Sequence, residues 1–245
     1  MNSQTEPIEL LIDRLHRASG LDYETLAPLR TLPVSIKEFS KNETIAHEGE
    51  RLDQCMLLLD GFLVRSLDTR EGDRQILSFY VPGDIPDLLT LELPTMDHSV
   101  ACISDAKVAV IPHAPLREIC DRSSAITFAL WRETLIDGAI TRRWVRNLGR
   151  LQARERIAHV LCELYIRLDA VGLASQPIHL PVTQSDFADA MGLTAVSVNR
   201  AFKELREEGV VTVSRRELII HNWPRLQHIA QFDPLYLHLP STAVS

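Results

Sequence analysis

The hydrophobic period of the chain changes twice along its length. Residues 6–32 repeat apolar positions at helical spacing and predict two short amphipathic helices. The second opens near Asp22, with Tyr23, Leu26 and Leu29 on one side. From about Val34 to Pro112 the pattern shortens to apolar or alternating runs, as in "CMLLLDGFLVRSLDTREGDRQILSFYVPGD". D-G, E-G-D and P-G-D turn signals separate these runs, which together predict a small antiparallel barrel or roll. Beyond Pro115 the helical period returns and holds through "SAITFALWRETLIDGAITRRWVRNLGR", residues 124–150.

That long helix carries two apolar stripes. One runs Phe128, Trp131, Leu135, Gly138, Arg142, Val145 at alternating spacings of three and four, the period of a two-stranded coiled-coil seam. The other holds Ile126, Leu130, Ile136, Ile140, Trp144 and Leu148. A helix apolar on two faces packs twice. The first stripe is therefore read as a dimer contact, the alternative being a core helix of a monomer. Gly149 marks an expected hinge, followed by a further helix ending at Gly172.

The stretch "TQSDFADAMGLTAVSVNRAFKEL", residues 183–205, reads as two helices joined by a tight turn. Thr183 and Asp186 form a T-x-x-D capping box. Phe187, Ala188 and Met191 give the first helix an inner face, and Gly192 accepts a positive φ without steric cost. Thr194 is a natural N-cap for the second helix, lined inside by Val198, Ala201, Phe202 and Leu205. Small residues at the crossing and a sharp turn are what a helix-turn-helix requires. "GVVTVSRRELIIHN" then predicts a wing hairpin turning around Ser214–Glu217, although this turn lacks Gly or Asn. The alternative is an ordinary helical hairpin in an enzyme.

In a helix-turn-helix the second helix enters the major groove, N-terminal half foremost. Its outward positions here are Ala195, Val196, Ser197, Asn199, Arg200 and Lys203. Arg200 is the leading base reader, because its fork spans O6 and N7 of guanine. Ser197 and Asn199 suit base edges or phosphates, and Ala195 and Val196 suit thymine methyls. Thr183, Gln184 and Ser185, and the cap Thr194, lie where amides and small polar groups hold phosphate. Lys203, Arg206, Arg215 and Arg216 are expected phosphate contacts. Six arginines in "TRRWVRNLGRLQARER" (142, 143, 146, 150, 154, 156) are read as a solvated, salt-bridged face rather than a DNA surface.

Composition adds limits. With 245 residues, 45% hydrophobic and 24% charged, the chain is an ordinary globular protein of one or two domains. A net charge of −7 argues against unspecific coating of nucleic acid. No secretory signal or membrane span is evident, so the cytoplasm is expected and a membrane partner is not. Cys55, Cys102, Cys120 and Cys162 are widely spaced, which favours neither zinc nor disulfides. HExxH, GxSxG, P-loop and Rossmann fingerprints are missing, so no catalytic set is expected.

The order of roll, long helix and winged unit, with "GLTAVSVNRAFKELREEGVV", resembles the Crp/Fnr family of bacterial transcription regulators. "NETIAHEGERLDQCMLLLDGFLVRSL…GDRQILSFYVPGDI" is similar to that family's cyclic-nucleotide-binding-like roll. The resemblance covers about residues 30–225. It implies a homodimer on a pseudo-palindromic duplex, with half-sites about 34–36 Å apart. It also implies a guanine-reading role for Arg200, which falls on the family's arginine. Val196 stands where many members carry a cytosine-reading glutamate, and Ala195 where the cyclic-AMP receptor has a further arginine, so a changed half-site is implied. An activator of this kind would also meet RNA polymerase.

The family's cyclic-nucleotide pocket corresponds here to "PGDIPDLLTLELPTMDHSVACI". The resemblance assigns an effector pocket to Gly83, Asp84, Asp87, His98 and Ser99. Asp87 stands for the ribose-binding carboxylate, and His98-Ser99 replaces the phosphate-gripping Arg-Ser pair. The stretch has no Arg or Lys between Arg74 and Lys107, so an anion should be repelled unless a distant arginine swings in. An effector is therefore expected to be absent, or an unidentified neutral or cationic molecule. Clustered N-terminal cysteines for an iron–sulfur centre are lacking, and His47, His98 and His113 are read as structural rather than haem ligands; no cofactor or metal is expected.

The expected fold is α+β: an N-terminal antiparallel β-roll, a cyclic-nucleotide-binding-like jelly roll with flanking helices, then a long dimerisation helix and a C-terminal winged helix-turn-helix. The expected boundaries are 1–122, 123–150, 151–230 and a tail at 231–245. The alternative function is a ligand-binding signalling module that works through protein contacts without specific DNA binding.

Overall fold

A computed structural model of the chain describes residues 5–239, so the end of the expected tail, 240–245, lies outside the described residues. The chain forms two compact units. One comprises the chain up to Arg65 with Tyr80–Gly138; the other comprises Ser66–Phe79 with Ala139–Leu237.

In the first unit, helix α1 (Thr5–Ser19) buries Ile8, Leu11, Ile12 and Leu15 at spacings of three and four. Asp22 accepts from the Thr25 amide and caps the one-turn helix α2 (Tyr23–Leu26), which runs into a 3₁₀ turn at Ala27–Thr31. Strands β1 (Ser35–Phe39), β3 (Gln54–Asp60) and β7 (Ala106–Pro112) form an antiparallel sheet in the order β1-β7-β3. Strands β2 (Thr44–Ala46), β6 (Ser99–Cys102), β4 (Leu63–Asp68) and β5 (Arg74–Tyr80) form a second sheet in that order, of which the segment Ser66–Phe79 is counted with the second unit. Strand β3 shows why its sequence is a continuous apolar run. Cys55 and Leu57 face the helices with Ile12, Leu29 and Leu130, while Met56 and Leu58 face the roll interior with Leu63, Val100 and Val108. At the following D-G turn a Cβ on Gly61 would stand 2.2 Å from the Asp105 carbonyl oxygen, so only glycine fits.

Helix α3 (His113–Arg122) ends at Ser123, and α4 (Ser124–Arg150) then runs unbroken past the unit boundary at Gly138–Ala139. One stripe of α4, containing Ile126, Leu130, Ile136, Ile140 and Trp144, is buried. The other is bare: Phe128 is 61% exposed, Trp131 56%, Leu135 52% and Val145 65%. Gly138 is half-buried and Arg142 exposed. Helix α4 is therefore buried along one face and exposed along the other. Among the described residues, no helix is long and apolar enough to cross a membrane.

The second unit is built on α5 (Ala153–Asp169), which starts at a capping box between Gln152 and Glu155 after a break at Leu151. Gly149 itself lies within α4 and the break follows at Leu151 and Gln152; α5 ends at Asp169, three residues before the expected Gly172, and a turn then runs to that glycine. Helices α6 (Gln184–Met191), α7 (Ala195–Glu207) and α8 (Trp223–Ala230) surround it. Strands β9 (Val211–Ser214) and β10 (Glu217–Ile220) pair as a hairpin, with β8 (Ile178–His179) along the other edge of β10. Inside this unit Glu163 is fully buried. It accepts hydrogen bonds from Trp144 Nε1 at 3.1 Å and Tyr236 Oη at 2.7 Å, and pairs with Arg167 at 3.3 Å. Tyr236 also stacks on His159, and burial pushes the His159 imidazole below its usual range. The 3₁₀ turn Pro234–Leu237 is thereby fixed to α4 and α5.

Candidate nucleic-acid interface

Local chemistry positions the two helices. Thr183 Oγ1 accepts from the Asp186 amide at 3.1 Å, and Asp186 Oδ2 accepts from the Thr183 amide at 2.9 Å, closing the capping box. Gly192 ends α6 at φ 59, ψ 46, and its N–H donates to the Ala188 carbonyl. Thr194 Oγ1 accepts from the Ser197 amide at 3.2 Å and opens α7. The inner faces meet through Phe187 and Phe202, edge to face at 5.2 Å, and Phe79 approaches both Phe187 and Trp144.

A further hold on α6 was not legible in the sequence. Arg74 donates to Asp186 at 2.8 Å and to Asp189 at 2.8 and 3.0 Å, while Gln75 Nε2 donates to the Asp189 carbonyl at 2.7 Å. Asp186 therefore serves both the cap and this clamp.

The expected contact residues separate into two groups. Gln184, Ser185, Ala195, Val196, Asn199, Arg200 and Arg215 are exposed, and the Arg200 guanidinium makes neither a hydrogen bond nor an ion pair among the described residues. By contrast, the hydroxyls of Thr183, Thr194 and Ser197 are already engaged: Thr183 donates to Asp186 at 2.6 Å, and Thr194 and Ser197 bond to each other at 3.0 Å. Lys203 is exposed beside Glu207 at 3.7 Å. The wing forms despite its missing glycine. Arg215 and Arg216 both take positive φ (51 and 66) between the paired residues Ser214 and Glu217. A two-residue loop with both φ positive matches the right-handed twist of the strands. It holds two basic side chains at the tip.

The arginine-rich stretch has mostly internal partners. The Arg143 guanidinium lies 4.8 Å over the Tyr236 ring, and Arg146 reaches Gln231 at 2.9 Å. Arg154 pairs with Glu208, and Arg156 donates to the Leu151 and Met191 carbonyls, each at 2.8 Å. Arg142 and Arg150 are exposed.

In the first unit each expected effector residue meets a partner within the protein, although Asp87 Oδ2 and His98 Nε2 are buried without one. Gly83, at φ 95, donates its N–H to the Leu58 carbonyl at 2.8 Å. Asp84 accepts from the Val81 amide and pairs with Arg14 at 2.8 Å; Arg14 also holds Glu133 at 2.7 Å. Asp87 is fully buried and accepts from the Met56 amide, with its second oxygen unpartnered. His98 contacts Asp97 at 2.5 Å, and burial, helped by the Arg65 charge, keeps its imidazole below the usual range. Ser99 Oγ accepts from the Glu48 amide. Two arginines distant in sequence do enter this region, Arg14 and Arg65. Each already meets a carboxylate, with Arg65 on Asp137 at 2.6 Å and 5.4 Å from the Tyr80 ring centroid. Cys102 is buried, which pushes its thiol up to about 12.

Burial raises the Asp87 carboxyl to about 7. An unfolded aspartate titrates near ~3.9, so its folded neutral form contributes stability that is complete below that value. That contribution is lost as the pH rises through about 7. Asp87→Asn keeps the oxygen that meets Met56 and removes the titration. The variant is expected to hold its melting temperature from pH 5 to pH 8 while the wild type declines, as calorimetric scans across that range would show.

A winged helix-turn-helix with a free guanidinium on its second helix, in a chain that also carries an antiparallel roll and a long helix, defines a DNA-binding regulator with a sensor-like domain. Residues 155–229 match the family model of the Crp-like helix-turn-helix domain, and residues 36–123 match that of the cyclic nucleotide-binding domain. The chain is 26% identical over 225 residues to the transcriptional activator protein FnrL of Cereibacter sphaeroides, covering 89% of this chain and 90% of that one. It is 27% identical to the transcriptional regulatory protein btr of Bordetella pertussis, over 77% of this chain and 78% of that protein. The solved structure of FixK2 from Bradyrhizobium japonicum superposes with a TM-score of 0.74 at 26% identity, covering 81% of this chain and 98% of that one. The chain belongs to the Crp/Fnr family of transcription regulators.

Proposed function

We propose that two copies of the chain pair through the bare stripe of α4 and place their α7 helices in successive major grooves of a pseudo-palindromic promoter site. Arg200 carries this reading: its guanidinium is exposed and without an ion pair among the described residues, in the second turn of a helix whose first turn holds the exposed Ala195 and Val196. Gln184, Ser185, Lys203 and Arg215 contact phosphate around it. Four exposed apolar positions at seam spacing support the dimer. The protein acts in the cytoplasm, without catalysis, and contacts RNA polymerase at promoters it activates; the activator name of FnrL supports that direction.

Binding does not await a cyclic nucleotide. The groups that would meet its phosphate and ribose are neutral, buried or paired with Arg14, and an added anion would face Asp84, Asp97 and Asp137. Any effector is neutral or cationic.

Selection of duplexes from a random pool by the full-length chain tests the reading. The wild type is expected to enrich a palindrome containing guanine. Arg200→Ala should lose the guanine preference at a cost of about 1–3 kcal/mol per half-site. A chain that enriches no sequence would instead be a signalling module working through protein contacts.

A further inference from the structure

At 77% exposure, Val196 is the barest large apolar side chain among the described residues. It stands in the first turn of α7, beside the exposed Ala195 and one helical turn before Arg200. Residues four apart share a helix face, and about 6 Å separates them along the axis. That distance is less than two base-pair steps of roughly 3.4 Å.

Nothing in the helix itself accounts for a valine there. A β-branched residue lowers helix propensity, and this side chain is left mostly in solvent. Its chemistry also excludes most of what a major groove offers. Valine neither donates nor accepts, so it cannot read guanine, adenine or the cytosine amino group. The apolar feature that a base edge presents in that groove is the thymine C5-methyl.

We infer that Val196 packs on a thymine methyl within two base pairs of the guanine read by Arg200, and so makes a T·A pair a determinant of each half-site. This rests on the DNA-reading role proposed above. The contact senses the methyl rather than the Watson–Crick identity of the pair. Deoxyuridine should therefore be rejected although it pairs as thymine does, and 5-methylcytosine should be accepted over cytosine.

The test uses the full-length chain and the selected duplex, with each thymine of the half-site replaced in turn by deoxyuridine. At one position the wild type is expected to lose about 4-fold in affinity per half-site, and about 16-fold when both are changed. In a C·G version of that pair, 5-methylcytosine should recover a similar factor over cytosine. Val196→Ala should flatten both effects while keeping the guanine preference; the site is exposed, so the variant should fold as the wild type does. Arg200→Ala should do the reverse. Equal binding of thymine and uracil at every position, with the guanine preference intact, would overturn the valine assignment and leave the DNA-reading role standing. A chain that selects no duplex would overturn both.

Discussion

Glutamate at Leu135 is expected to convert the proposed dimer into a monomer and to abolish tight binding to a paired site. Leu135 is 52% exposed in the single chain, midway along a stripe whose other apolar members, Phe128, Trp131 and Val145, are also bare. In a parallel pair each of these side chains would lie against the matching stripe of the partner, and burial of one such residue contributes about 1.5–3 kcal/mol. The substitution removes two leucines from one seam and sets two carboxylates near the two-fold axis. A loss of roughly 3–6 kcal/mol is expected, or 10²- to 10⁴-fold in dimerisation. Sedimentation should then show a folded monomer, because the residue supports neither unit's core. Leu135→Ala should fall between the two. An unchanged dimer would mean that another surface makes the pairing.

The second large effect concerns the DNA-binding unit. Replacing Glu163 with alanine removes a buried carboxylate to which Arg167, Trp144 and Tyr236 all donate. Removing one partner of a buried pair costs about 3–5 kcal/mol, because the remaining charge stays desolvated. The unit is expected to melt well below the wild type. Glu163→Gln, which keeps an acceptor oxygen for Tyr236, should recover part of the loss. Tyr236→Phe should cost much less, about 1–2 kcal/mol, since it leaves the ion pair in place. Equal stability of all three variants in calorimetry would show that the network contributes little.

Which features could be read from the sequence follows from how far apart their partners lie. The Thr183–Asp186 box, the Gly192 turn and the Thr194 cap are local, each contained within a few residues, and the folded chain realises all three. The bare and buried stripes of α4 are legible for the same reason, because period alone separates them. The Arg74 clamp on Asp189 spans 115 residues, the Arg14–Glu133 pair 119 and the Glu163–Tyr236 bond 73. No spacing rule reaches that far. The pocket shows the consequence. Its acidic run implies repulsion of an anion unless a distant arginine enters; folding does bring in Arg14 and Arg65, each already set against a carboxylate. The wing shows a different limit. Its turn lacks the residues that adopt positive φ readily, yet pairing across Ser214 and Glu217 holds Arg215 and Arg216 there, at about 1–2 kcal/mol each.

The measurement that bears most directly on the proposed paired reading is affinity for the selected duplex when five base pairs are inserted between its half-sites. Two recognition helices fixed by one seam reach half-sites about 34–36 Å apart on the same side of the duplex. The insertion turns one half-site to the opposite side. The expected result is a loss of at least ~100-fold, down to the affinity of a single half-site. Affinity unchanged by the insertion would contradict two copies reading one palindrome.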